Sequence, residues 1–273
     1  MLENFREYRT LGRTGLKVSR LGIGTGYGIP GKVIEKAFHE YGVNYFYLSS
    51  PRRRASMKSI GDLARNNRDN VVIVLQSYDH FGPFMSHFLE KGLKTLKINY
   101  TDVLLLGWNN KIPSGKVLDE ALKLKEQGKV RFLGMSGHKR TTFSKVAQMK
   151  DSPIDIFMIR YNAVHSGAEK DIFPHLPEDN RQGITIYTAT CWKKLLKAKS
   201  VPEGEKPVSA PDAYRFVLSN PNVDLCMTGA ANEEQMDDAL TVLDKGPLNE
   251  EEMERIRRIG SYIYDKKLNK LGR

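Results

Sequence analysis

The stretch "DVLLLGWNN", residues 102–110, carries four consecutive apolar side chains from Val103 to Leu106 and then stops at a glycine, a tryptophan and two asparagines. A short apolar run bounded by polar residues reads as a strand buried on both faces, the signature of a parallel sheet covered by helices. The carboxyl end of such a strand faces the functional side of an α/β protein. Here the residue at that end is Gly107, which delivers no side chain.

Working outward, comparable runs are "RLGIGT" near 20–25, "VNYFYL" 43–48, "VVIVLQ" 71–76, "VRFLGMS" 130–136, "DIFMIRYN" 155–162, "ITIYTAT" 184–190 and "VDLCMTG" 223–229. Between them, apolar residues recur at helical spacing, as in Val33, Ile34, Ala37, Phe38 and Tyr41, or Val117, Leu118, Ala121, Leu122 and Leu124. Parallel strands need crossovers, and eight tilted strands enclose an interior that side chains just fill. The pattern therefore predicts an α/β fold, a (β/α)8 TIM barrel, over residues 1–273 as one domain, with no break in composition. The tail at 248–271 predicts an additional C-terminal helix with Met253, Ile256, Ile259 and Ile263 as its apolar stripe, and Gly260 predicts a break in it.

No window approaches the ~20 apolar residues of a membrane span, and "MLENFREYRT" lacks the apolar core of a signal peptide, so a soluble, cytoplasmic protein is expected. Cys191 and Cys226 have no metal or redox spacing, and no metal site is expected. The formal charge of +11 is spread over most predicted helices, which favours a basic solvated surface over a nucleic-acid footprint. The pattern carries no signal for a particular oligomeric state.

The opening "YRTLGRTGLKVSRLGIGT", followed in order by "YGVNYFY", "EQGKVRFLGMSGH", "RYNAVHSGAEKDIFP", "YTATCW" and "FVLSNPNVDLCMTGAANEEQMDDAL", resembles the aldo-keto reductases from about Tyr8 to Leu243. The resemblance implies a barrel plugged at its amino-terminal end by a hairpin. It also implies hydride transfer from a nicotinamide cofactor to a carbonyl, with a tyrosine as acid, acidified by a lysine that pairs with an aspartate and assisted by a histidine.

Carried over position by position, that tetrad is absent. The family's aspartate position holds Tyr47, its tyrosine position Arg52, its lysine position Gln76 and its histidine position Gly107. A glutamine supplies no charge to lower a phenol pKa, and a glycine donates nothing from a side chain. A replacement set is conceivable: Tyr47 should point into the barrel mouth with Tyr45 on the same face, and Arg52 or Arg53 beside it would ease its ionisation. The alternative is an aromatic plug. Tyr78, Asp79 and His80 follow the third strand in a loop on the functional face, where His80 reads as a plain loop residue. Arg52-Arg53-Arg54 lies over the same mouth and suits a carboxylate or phosphate ligand.

For the cofactor, the resemblance assigns Ser136 and Asn162 to the nicotinamide amide, while Gly137 and Met158 replace an expected asparagine and glutamine. The stacking aromatic maps to Ala189, with Trp192 as the substitute within reach. Gly229, Gln235 and Asp238 map to the adenosine-phosphate loop. With no lysine or arginine from 229 to 243, a 2′-phosphate gains little there, so NAD is as acceptable as NADP. Cys191 lacks an identifiable partner base and reads as a structural thiol. Two readings stay open: an aldo-keto-reductase-like oxidoreductase acting on a small carbonyl compound, neutral or anionic, through a non-standard site, or a barrel without catalysis that binds a cofactor or metabolite as a sensor or partner.

Overall fold

A computed structural model describes the backbone of residues 5–48 and 54–271, and the side chains of 5–48 and 56–266. Two short antiparallel strands, β1 (Arg9–Thr10) and β2 (Lys17–Val18), form the leading hairpin, with Arg9 opposite Val18. Eight strands follow: β3 (Leu21–Gly24), β4 (Tyr45–Leu48), β5 (Val72–Ser77), β6 (Thr101–Leu106), β7 (Val130–Ser136), β8 (Ile156–Arg160), β9 (Gly183–Tyr187) and β10 (Leu225–Thr228). All pair in parallel and in chain order, and β10 closes on β3 to make a barrel. The strands expected from the apolar runs are all present, displaced by at most three residues at their ends.

The quoted stretch shows why its apolar run is unbroken. Every residue of β6 is buried, with Val103 and Leu105 packed inside the barrel and Leu104 and Leu106 outside it against the helices. Two apolar cores result. The inner one includes Tyr45, Val72, Val74, Ile156, Met158, Leu225 and Met227, and the hairpin's Leu11, Leu16 and Val18 close it from the amino-terminal end. The outer one lies under a ring of helices, including α1 (Gly31–Tyr41), α2 (Arg54–Asn66), α3 (Met85–Leu96), α4 (Gly115–Glu126), α5 (Arg140–Ala147), α6 (Ala168–Asp171), α7 (Ala210–Leu218) and α8 (Glu233–Leu240).

At the amino-terminal end, three buried aspartates stitch neighbouring strands together. Asp102 accepts the N–H of Ile73 at 2.8 Å, Asp155 that of Leu133 at 3.1 Å, and Asp224 that of Ile184 at 2.8 Å. Each also meets arginine: Arg68 and Arg131 at Asp102, Arg13 at Asp155, and Arg181 through two nitrogens at Asp224. A buried carboxylate needs such compensation, and here each anion also satisfies a strand N–H. This end of the barrel is thereby committed to stability.

After the short α9 (Val242–Lys245), the tail forms α10 (Glu250–Leu271), whose Ile256, Ile259 and Ile263 are buried with Met253 packed beside them. The expected break at Gly260 does not occur. A Cβ at this position would lie 2.2 Å from the carbonyl oxygen of Ala163, so the glycine permits the helix to press against the loop after β8. Among the described residues, no helix is long and apolar enough to cross a membrane.

Candidate active site

Side chains alternate across a strand, so the inner core predicts what lines the mouth. Tyr45 inside leads to Tyr47, Val74 to Gln76, Leu105 to Gly107, Gly134 to Ser136, Met158 to Arg160 and Thr185 to Tyr187. The registers that align Tyr47 with Val74, Gln76 with Leu105 and Arg160 with Tyr187 hold these ends together.

On the β4–β6 side, the Tyr47 hydroxyl donates a hydrogen bond to Oε1 of Gln76. The first strand makes room for this: a Cβ on Gly22 would meet the Tyr45 ring at 3.0 Å, and one on Gly24 the Tyr47 ring at 3.7 Å. Gly22 and Gly24 therefore lie against the two tyrosine rings of the neighbouring strand. Gly107 has a comparable explanation. A Cβ there would lie 2.1 Å from Nε2 of Gln76 and 3.0 Å from the Tyr78 ring. The Gln76 amide occupies the volume that a side chain at 107 needs, so the glutamine at 76 and the glycine at 107 are one structural event.

The electrostatics at Tyr47 run opposite to what an acidified phenol needs. Burial pushes its pKa well above the usual phenol value, and the neighbouring Tyr78 adds to the rise. Arg52 and Arg53, expected to supply the compensating cation, lie outside the described residues, and Arg54 opens α2. Asp79 is structural: it accepts the N–H groups of Phe81, Gly82 and Phe84, and these bonds leave its pKa lowered although burial opposes ionisation. His80 is exposed.

The β7–β9 side holds a cluster that no motif in the sequence singles out. Arg160 lies over the Trp192 ring, 5.8 Å from its centroid. The Tyr187 hydroxyl is 3.3 Å from Nδ1 of His138 and 3.4 Å from the carbonyl oxygen of Gly137. Burial, eased by Arg160, leaves the Tyr187 pKa at about 12, while burial and then Arg160 lower that of His138. The one signal in the chain that points to this wall is strand parity: Met158 points inward, so Arg160 does too.

The proposed cofactor contacts are unequal. Ser136 is at the mouth, where its Oγ accepts the Trp108 N–H at 3.3 Å and keeps its own proton to donate. Asn162 is fully buried and ties two loops together, donating to the Thr188 carbonyl after β9 and accepting the N–H groups of Val164 and His165 after β8. Trp192 is half-exposed at the rim, in a loop where Thr188, Cys191, Trp192 and Lys193 all have positive φ, between 50° and 66°. Such strain concentrates where a loop is shaped for a ligand. Cys191 itself is buried. At the far end, Gly229 faces the Tyr27 ring, Asn232 caps α8, and Gln235 folds back to accept the Ala231 N–H at 3.0 Å. Asp238 is exposed on α8. Lys36 reaches this region from α1 but is paired with Asp237 at 2.8 Å, and Lys32 lies 3.5 Å from Glu233. Among the described residues, no group of histidine, cysteine, aspartate and glutamate could hold a metal ion.

The same fold and order of elements occur in known proteins. The chain is 22% identical to the L-galactose dehydrogenase of Arabidopsis thaliana, over 93% of this chain and 94% of that protein. The holo form of an aldo-keto reductase from Bacillus halodurans superposes with a TM-score of 0.76 at 18% identity, covering 93% of this chain and 96% of that one. An aldo-keto reductase from Klebsiella pneumoniae in complex with NADPH gives 0.72 at 21% identity, covering 96% of each. The model of the aldo/keto reductase family matches residues 32–207, which is most of the barrel and more than half of the sequence, and the chain belongs to that family.

Proposed function

We propose that this protein is a nicotinamide-dependent oxidoreductase that reduces a small carbonyl compound at the barrel mouth. The observation that carries the reading is the inward phenol of Tyr47 at the end of β4, held by Gln76 from the end of β5. Family membership supports it, and so does the Klebsiella relative solved with NADPH.

The fit to a nicotinamide dinucleotide rests on Ser136, whose hydroxyl still has a proton to donate, on the half-exposed Trp192, and on the capped start of α8 beside Gly229. Asn162 contributes by tying the loops after β8 and β9 together, with one amide N–H left to donate. Lys32 and Lys36 are committed to Glu233 and Asp237, so NAD serves as well as NADP. When bound, the cofactor supplies a hydride to the carbonyl carbon. Tyr47 Oη gives up its proton to the oxygen, and Gln76 Oε1 holds the phenol in the mouth. With no lysine at the end of β5 to stabilise the phenolate, this proton leaves reluctantly, and turnover should be slower than with an acidified tyrosine.

A second reading, binding without turnover, is favoured by that same upward pKa shift. Titration with NADH and NADPH, followed by nicotinamide fluorescence and thermal stability together, separates the two. Micromolar binding of either cofactor, with carbonyl reduction that falls about 10²- to 10⁴-fold in Tyr47→Phe while binding persists, is the expected result. Binding with no turnover on a carbonyl panel supports the second reading, and no binding of either cofactor removes hydride transfer.

A further inference from the structure

The arginines described in this protein mostly meet carboxylates, as at the amino-terminal end of the barrel, where every buried aspartate has an arginine. Arg160 is different. It ends β8 on the inward face, and among the described residues no carboxylate or hydrogen-bond acceptor meets its guanidinium; its one close partner is the Trp192 ring. A tryptophan face holds a guanidinium by cation–π attraction while leaving its edge, with the fork of N–H donors, unused. Cross-strand Tyr187 and the nearby His138 bring a hydroxyl and an imidazole to the same side. The Trp192 loop has four consecutive or near-consecutive residues in the left-handed region, a conformation that holds the indole at the rim.

We propose that Arg160 is the anchor for a carboxylate on the substrate, so that the substrate class is a small carbonyl compound bearing a carboxylate at the end remote from the carbonyl. Two features set this class. The cluster offers one fixed positive charge beside neutral donors, which balances a carboxylate rather than a phosphate dianion. In the ring of eight strands, β8 stands four strands from β4 in either direction, so Arg160 and Tyr47 face each other across the mouth. A molecule anchored at Arg160 extends towards the Tyr47 hydroxyl, and its two ends are read by opposite walls. The carbonyl half of this inference rests on the oxidoreductase reading, whereas the carboxylate half stands without it.

The test is calorimetric titration of the full chain, without cofactor, using succinate and its uncharged diamide, succinamide. Succinate is expected to bind roughly 10- to 100-fold more tightly than succinamide, and Arg160→Gln to remove that preference. Arg160→Lys keeps the charge but loses the planar fork, and should recover only part of it. Equal binding of the two probes by the wild-type protein would overturn the proposal, and this arm requires no variant to fold. An Arg160→Gln protein with an unchanged melting temperature and unchanged succinate affinity would overturn it too. NADH and NADPH affinities should be largely retained in Arg160→Gln; a loss parallel to that of succinate would assign the arginine to the cofactor site through Trp192 and overturn the proposal. Succinate preference without reduction of any carbonyl compound would count against the oxidoreductase reading alone, leaving the anion site standing.

Discussion

Gly107 answers the question raised by its own strand. A missing side chain at the end of β6 reads as a lost catalytic histidine when the family pattern is laid over the sequence. In three dimensions the glycine is where the Gln76 amide lies, 2.1 Å from the Cβ it lacks. Gly107→Ala should therefore cost about 1–3 kcal/mol, at the lower part of that range because the glutamine end can move. In a Gln76→Ala background most of that cost should vanish. Denaturant melts of the two single variants and the double variant measure the coupling, and an unchanged cost in the second background would refute the shared-volume account.

At the scale of elements, α10 sets helix propensity against packing. Replacing glycine by alanine in a helix interior favours the helix by about 1 kcal/mol, yet at Gly260 the added methyl would strike the backbone oxygen of Ala163, which cannot rotate away. Packing should win, so Gly260→Ala should lower the melting temperature. A stabilised variant would mean that α10 does not seat on the loop after β8. The amphipathic stripe of this helix was legible at Ile256, Ile259 and Ile263 because burial imposes a period. The close approach was not legible, since an interhelical or helix–loop distance leaves no periodic trace. A glycine in a helical pattern has the same appearance whether it breaks the helix or lets it dock.

The whole molecule is built to keep neutral groups neutral. Burial raises the pKa of Tyr45, Tyr47, Tyr161 and Tyr214 above the ordinary phenol value of 10.0, and that of Cys226 above the ordinary thiol value of 9.0. The folded protein thus retains protons that the unfolded chain gives up in alkali. Stability from these groups is fully present below their unfolded pKa values and is lost as pH rises from there towards the folded ones. The midpoint of denaturant unfolding should fall steadily from about pH 9 upward. A midpoint constant to about pH 11 would show that these side chains are ionised, or exposed, in the native state. The +11 charge belongs to this scale as well: many of its cations are paired one by one with carboxylates around the barrel, consistent with a dispersed basic surface.

By itself the sequence determined the barrel and the order of its eight strands, because buried parallel strands must be continuously apolar and crossovers must have helical period. It also placed Tyr47 and Gln76 on the inward face at the ends of neighbouring strands, since strand parity is local. Tertiary structure alone decided that Gln76 fills the space at Gly107, that Asn162 ties the loops after β8 and β9 together, and that Arg160, Tyr187, His138 and Trp192 share one wall of the mouth. Those facts depend on the register between β8 and β9 and on side-chain volumes meeting across strands, and a distance between residues far apart in the chain is not encoded in the spacing of either one.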